Sequence, residues 1–130
     1  MLHRNNHSNV VEYAKGSKTW YRRFDDEESA SRAASVARDQ IGYAWQVDIT
    51  HWDVKEAYDT FKALDNLTER AAFDQHTTEA EYDVLLEMLC DRRDRCASML
   101  AAYVGIDEDT ASDMILYKGD KLEYILGKAA

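Results

Sequence analysis

Asp48, His51 and Asp53 fall within six residues, D-I-T-H-W-D, where a strand pattern gives way to a helix pattern. A histidine flanked by carboxylates can act as an acid/base group or contribute to a metal site, and strand ends often carry such sites. The plainer reading is capping, because an aspartate at a helix start meets free N–H groups and the positive end of the dipole. His3, His7 and His76 add no ligand spacing to the set. No Walker loop, G-x-G-x-x-G, H-E-x-x-H or nucleophile elbow is present, and five glycines leave little material for a phosphate cradle. An enzyme centred on residues 48–53 is therefore the third-ranked function, and no cofactor or metal is expected.

The stretch T-W-Y-R-R-F, residues 19–24, offers different chemistry. Trp20 beside Arg22 and Arg23, with Lys18 and Arg4 nearby in sequence, has the composition of a platform that stacks bases and contacts phosphates. The competing reading sends Trp20 and Phe24 to the core and leaves the arginines to neutralise neighbouring acids.

Residues 104–115, V-G-I-D-E-D-T-A-S-D-M-I, resemble the turn and second helix of a helix-turn-helix. Val104, Gly105, Ile106, Ala111, Met114 and Ile115 are suited to packing two helices across a tight turn. Reading DNA would require the second helix to enter the major groove among phosphates, supported by Lys and Arg. Its outward residues are instead Asp107, Glu108, Asp109, Ser112 and Asp113, and residues 105–130 carry six acids against three lysines. The likeness is thus expected to hold as packing and to fail as DNA recognition. The acids become candidate contacts for a protein partner, with Asp91 and Asp94 as a second group.

Cys90 and Cys96 lie six apart in a helical pattern, on different faces and about 9 Å apart along the axis. A disulfide needs Cα atoms within about 7 Å, so the expectation is two core or half-buried thiols in a reducing compartment.

The charge map ranks the functions. Arg4, Lys15, Lys18, Arg22 and Arg23 against Glu12 give residues 1–24 a net +4, and the remaining 11 basic and 24 acidic residues leave 25–130 at −13, for −9 in all. With 45% hydrophobic and 32% charged residues in 130, the chain is long enough for its own core and reads as globular. No apolar run approaches the roughly 20 residues of a membrane span, and M-L-H-R-N-N-H-S-N lacks a signal-peptide core, so a cytoplasmic protein is expected. Proline is absent, where average usage predicts about six; that suits a helix-rich chain.

These residues need elements to position them. Asn9–Ala14 and Thr19–Phe24, joined by K-G-S-K, read as a hairpin. Asp25 with Glu28 has capping-box spacing before a small-residue stripe, Ala30, Ala33, Ala34, Ala37 and Ile41, ended by Gly42. Tyr43 to Ile49 alternates as a strand, and Thr50 opens a helix with Val54, Ala57, Tyr58, Phe61 and Leu64 inward.

Thr68 is expected to start a short helix and Thr78 with Glu81 a long one, about 79–104, with Tyr82, Leu85, Leu86, Leu89, Cys96, Met99, Leu100 and Tyr103 inward. Asp107 and Asp120 then cap two shorter helices. The expectation is one α+β domain, 1–130: residues 1–64 form a ββαβα part, a small antiparallel sheet of about three strands with helices on one face. Residues 65–130 form a helical part sharing its core.

The function that follows is a small acidic interaction protein binding a basic, nucleic-acid-binding surface of a host protein complex. Its most concrete version is an inhibitor of the kind phages and mobile elements encode, against CRISPR or restriction systems, working in the host cytoplasm. Direct nucleic-acid contact by the basic hairpin is the alternative. Pairing of the long helix with a second copy stays open, since its charged middle sets no register.

Overall fold

The computed structural model describes residues 2–129, and of residues 125 and 127–129 the helical backbone alone. Among them the order is β1 (His3–Arg4), β2 (Val10–Lys15), β3 (Lys18–Arg23), α1 (Glu27–Ile41), β4 (Ala44–Asp48), α2 (His51–Ala72), α3 (Glu79–Val104), α4 (Glu108–Tyr117) and α5 (Gly119–Ala129). The fold is α+β: an antiparallel sheet ordered β1-β4-β2-β3, then a helical C-terminal half.

β2 and β3 pair across a two-residue turn, with Val10 opposite Arg23 and Lys15 opposite Lys18. Gly16 has φ +61°, the left-handed backbone such a turn requires of its first residue. β1 adds a fourth strand, pairing His3 with Asp48 and Arg4 with Val47. Two polar residues carry no period, so this strand left no trace in the sequence.

Alternation along the strands gives the sheet two apolar faces. Val11 and Ala44, with Tyr13 and Phe24, pack on Ala30, Ala34 and Ala37 of α1. From the other face Val10, Tyr21 and Val47 join Val54 and Ala57 of α2, Cys96 to Ala102 of α3, and Ala111, Met114, Ile115, Leu122 and Leu126 of the last two helices. Both faces are therefore covered, where one was expected. α1 takes the first face because alanines let it lie close, and the large side chains go to the second.

Several boundaries differ from expectation. α1 is capped by Asp26, not Asp25: its backbone is extended and its carboxylate accepts from the Ser29 N–H at 2.7 Å. No break occurs at Thr68, because nothing between Leu64 and Ala72 interrupts the helix and the Thr68 hydroxyl bonds back to the Leu64 carbonyl at 2.7 Å. Asp120 lies inside the first turn of α5 rather than capping it. Cys90 is exposed and only Cys96 is buried.

Other caps form as read. Thr50 and Asp53 make a reciprocal capping box, Thr78 accepts from the Glu81 N–H, and Asp107 accepts from the Thr110 N–H. Gly42 and Gly105 end their helices in the left-handed region.

α3 is not buried along its length. Complete burial runs from Cys96 to Ala102; Tyr82, Leu85 and Leu89 are half-buried, while Val84, Leu86 and Met88 are exposed. The sheet accounts for the limit. Ser17, at the tip of the β2–β3 hairpin, reaches as far as the Asp91 carboxylate, 2.9 Å away.

Candidate functional site

β3 forms one edge of the sheet, where unpaired N–H and C=O groups would face solvent. Here α3 closes part of that edge. The Tyr21 N–H donates to the Ser98 hydroxyl at 3.2 Å, and that hydroxyl donates to the Arg95 carbonyl at 3.2 Å. Arg23 reaches the same helix further on, its Nε to the Ala102 carbonyl at 2.6 Å and its Nη2 to the Tyr103 carbonyl at 3.1 Å. These carbonyls belong to the last turn of α3, which lacks intrahelical donors and carries the negative end of the dipole. One cation thus fixes the strand to the helix end.

The join leaves a groove of 520 Å³ beside β3, lined by Trp20, Arg22, Phe24, Ala101, Ile106 and Glu108 among others. A second depression of 270 Å³, lined by Lys18, Thr19, Trp20, Asp91, Asp94 and Glu108, shares Trp20 and Glu108 with it. Acids from two helices, far apart in sequence, therefore meet at one strand edge beside an indole. The indole is held by stacking on Tyr13, with ring centroids 5.5 Å apart and planes within 6°.

Asp91, Asp94 and Glu108 line this channel; Asp107, Asp109 and Asp113 do not, although all three are exposed. Asp107 serves α4. It accepts from the Thr110 N–H at 2.8 Å and the Thr110 hydroxyl at 2.9 Å, and the backbone bond above all holds its carboxyl below the ordinary aspartate range. Asp94 pairs with its neighbour Arg93 at 3.2 Å, and Asp91 accepts from Ser17.

The basic set disperses. Arg4 lies on β1, across the sheet from β3, with its guanidinium 3.9 Å from the Trp45 ring centroid. Arg23 is engaged by the end of α3. Arg22 sits over Phe24 at 5.1 Å. Lys18, Trp20 and Arg22 line the channel, and Arg23 lines it too, its guanidinium committed to the end of α3.

The 48–53 set also separates. Asp48 accepts both hydrogen bonds of the Asn5 amide, at 3.2 and 3.0 Å. Asp53 accepts from the Thr50 N–H at 2.9 Å inside the capping box. His51 leans on Trp52, ring centroids 4.5 Å apart. The grooves lined by Asp48 and by His51 are different ones. The three side chains do not converge, and the acid/base arrangement does not form.

Two arrangements had no signal in the sequence. Glu12 accepts from the hydroxyls of Tyr21 and Tyr43, both at 2.7 Å, joining β2 to β3 and to the residue just before β4. Ser98, a buried polar residue among alanines and leucines, shields the strand edge. Among the described residues, no group of three or more His, Cys, Asp or Glu is placed to hold a metal ion, and no helix is long and apolar enough to cross a membrane. No protein-family model, curated protein or solved structure matches this chain.

Proposed function

We propose that the chain is a non-enzymatic interaction protein whose β3–α3–α4 channel and neighbouring α4 acids bind a basic surface of a partner protein. The observation that carries this is the meeting of Asp91, Asp94 and Glu108 beside Trp20. A large, pre-stacked aromatic ring ringed by carboxylates supplies both an anchor and a sign. Trp is among the residues that dominate binding energetics, and complementary charge steers encounter. Asp107, Asp109 and Asp113 extend the negative field from the adjacent helix start. A basic surface that otherwise holds nucleic acid is the partner class this field fits, which makes a stoichiometric inhibitor, of an anti-CRISPR or anti-restriction type encoded by a phage or mobile element, the concrete form of the reading.

The test is capture of partners from host cells by the wild-type chain and by Asp91→Lys/Asp94→Lys/Glu108→Lys. A basic protein held by the wild type and released by the triple variant at about 0.1 M salt is the expected result. Equal retention by both removes the channel from the reading.

A second reading rests on Lys18, Trp20 and Arg22 lining the same channel, which is chemistry for single-stranded nucleic acid. Titration with single- and double-stranded oligonucleotides at low salt, repeated with Trp20→Ala and Arg22→Ala, decides it. The carboxylates opposite make absence of binding the expected result.

A further inference from the structure

Trp52, in the first turn of α2, is 65% exposed. One side of it borders a groove of 320 Å³ whose other walls are His51, Lys55, Tyr58 and Asp59 on α2 and Glu123 and Leu126 on α5. The indole also borders a second groove, with Glu56, Thr60 and Ala63. Its orientation is set locally by the tilted His51 ring. The opposite wall is set by Gly119: a Cβ there would come within 2.8 Å of the Tyr58 hydroxyl, so glycine lets α5 approach α2 and brings Glu123, one turn on, to the slot.

The charges at this slot have one sign to spare. Lys55 pairs with Asp59 at 3.3 Å. Among the described residues, Glu123, the groove's other carboxylate, has no ion pair, and Glu56, which also has none, lines the neighbouring groove. Burial pushes the Tyr58 hydroxyl above its ordinary range, and Glu123 is the next cause. An anion would face the Glu123 carboxylate, with Lys55 already paired to Asp59. A purely apolar ligand would bury Glu123 without a partner, which is costly.

We propose that this slot receives an arginine side chain of a partner protein, its guanidinium stacked on Trp52 and paired with Glu123. A guanidinium is planar and weakly hydrated, stacks on aromatic faces and pairs with carboxylates through charge-assisted hydrogen bonds. The groove lies at the small end of ligand pockets, which suits one side chain rather than a larger molecule. The slot uses α2 and α5 only, so it stands independently of the channel beside β3.

The full chain is titrated with N-acetyl-arginine amide and with its neutral isostere N-acetyl-citrulline amide, following the indole N–H resonances. That of Trp52 is identified by its loss in Trp52→Phe. The arginine derivative moves the Trp52 resonance saturably while Trp20 and Trp45 stay still, and added salt weakens the effect. Glu123→Gln binds about tenfold more weakly, as expected from losing one close charge pair in a partly desolvated site.

Should Glu123→Gln lower the unfolding midpoint, the wild type's salt dependence is decisive: an affinity unchanged between about 0.05 M and 0.5 M NaCl overturns the pairing with Glu123. An equal response to the citrulline derivative overturns the proposal, as does equal binding by a variant that keeps its fold. A response at Trp20 instead of Trp52 also overturns it. If N-acetyl-lysine amide, titrated in the same way, binds as tightly, the assignment to a guanidinium is wrong.

Discussion

The two cysteines show how far one side chain's surroundings decide its chemistry. Cys96 is buried among Met99, Leu100 and Val54, and desolvation pushes its thiol up to about 12, with Arg95 a weaker opposing influence. The thiolate is the reactive form, so the native thiol is inert at neutral pH. Cys90, one and a half turns earlier, is exposed. A disulfide-exchange reagent at pH 8 is expected to titrate one thiol per native chain and two after unfolding in urea. Rapid reaction of both in the native state would show that α3 opens at Cys96. Spacing separated the two sulfurs onto different faces and put Cys96, not Cys90, in the apolar stripe of α3; how far along the helix other elements cover it depends on contacts distant in sequence, so the exposure of Cys90 was not legible. Glu12 was illegible for a similar reason. Its partners Tyr21 and Tyr43 are 9 and 31 residues away, and nothing local to Glu12 points to either.

Among the elements, caps were the most legible features, since a cap is a contact between near neighbours in sequence. Thr50, Thr78, Asp107, Gly42 and Gly105 end or start their helices where their types predict. The two aspartate caps also make acid stability predictable. Backbone bonds from Ser29 and Thr110 hold Asp26 and Asp107 below the ordinary aspartate range. A carboxyl with a depressed folded-state pKa contributes stability that is present above the unfolded value, about 3.9, and is lost as pH falls through the folded one. Urea midpoints are therefore expected to drop below about pH 4, less steeply in Asp26→Asn/Asp107→Asn, since asparagine caps without titrating. Equal slopes would place the acid sensitivity elsewhere. What stayed hidden at this scale was any contact across elements. Ser98→Ala tests the main one. It leaves the buried Tyr21 N–H without its acceptor, for an expected loss of about 1–3 kcal/mol in urea unfolding. A loss under about 0.5 kcal/mol would mean another acceptor takes over that edge.

At the scale of the whole molecule the charge map was legible in full, but its relation to the fold was not. The ion pairs the structure forms are mostly local. Arg32–Glu28 and Lys55–Asp59 are one helical turn apart, Lys62–Asp65 three residues apart, and Arg93–Asp94 adjacent, while the His7 ring and Glu27 meet in a hydrogen bond across a longer gap. They lie at the surface, exposed or half-buried, where such pairs contribute little and are screened by salt. The stability of the fold comes instead from the two apolar faces of the sheet and from polar bonds such as Tyr21–Ser98 that salt does not weaken. A net charge of −9 opposes compaction by self-repulsion. Raising NaCl from about 0.1 M to 1 M shortens the Debye length from about 10 Å to 3 Å, which screens the repulsion among the α3 and α4 acids. The thermal midpoint is therefore expected to rise with salt, while binding to a basic partner weakens over the same range. The two responses have opposite signs because one charge distribution works against the fold and for the encounter. A midpoint that falls with NaCl would show that attractive pairs hold the molecule together, and the acidic surface would then be structural rather than free to meet a partner.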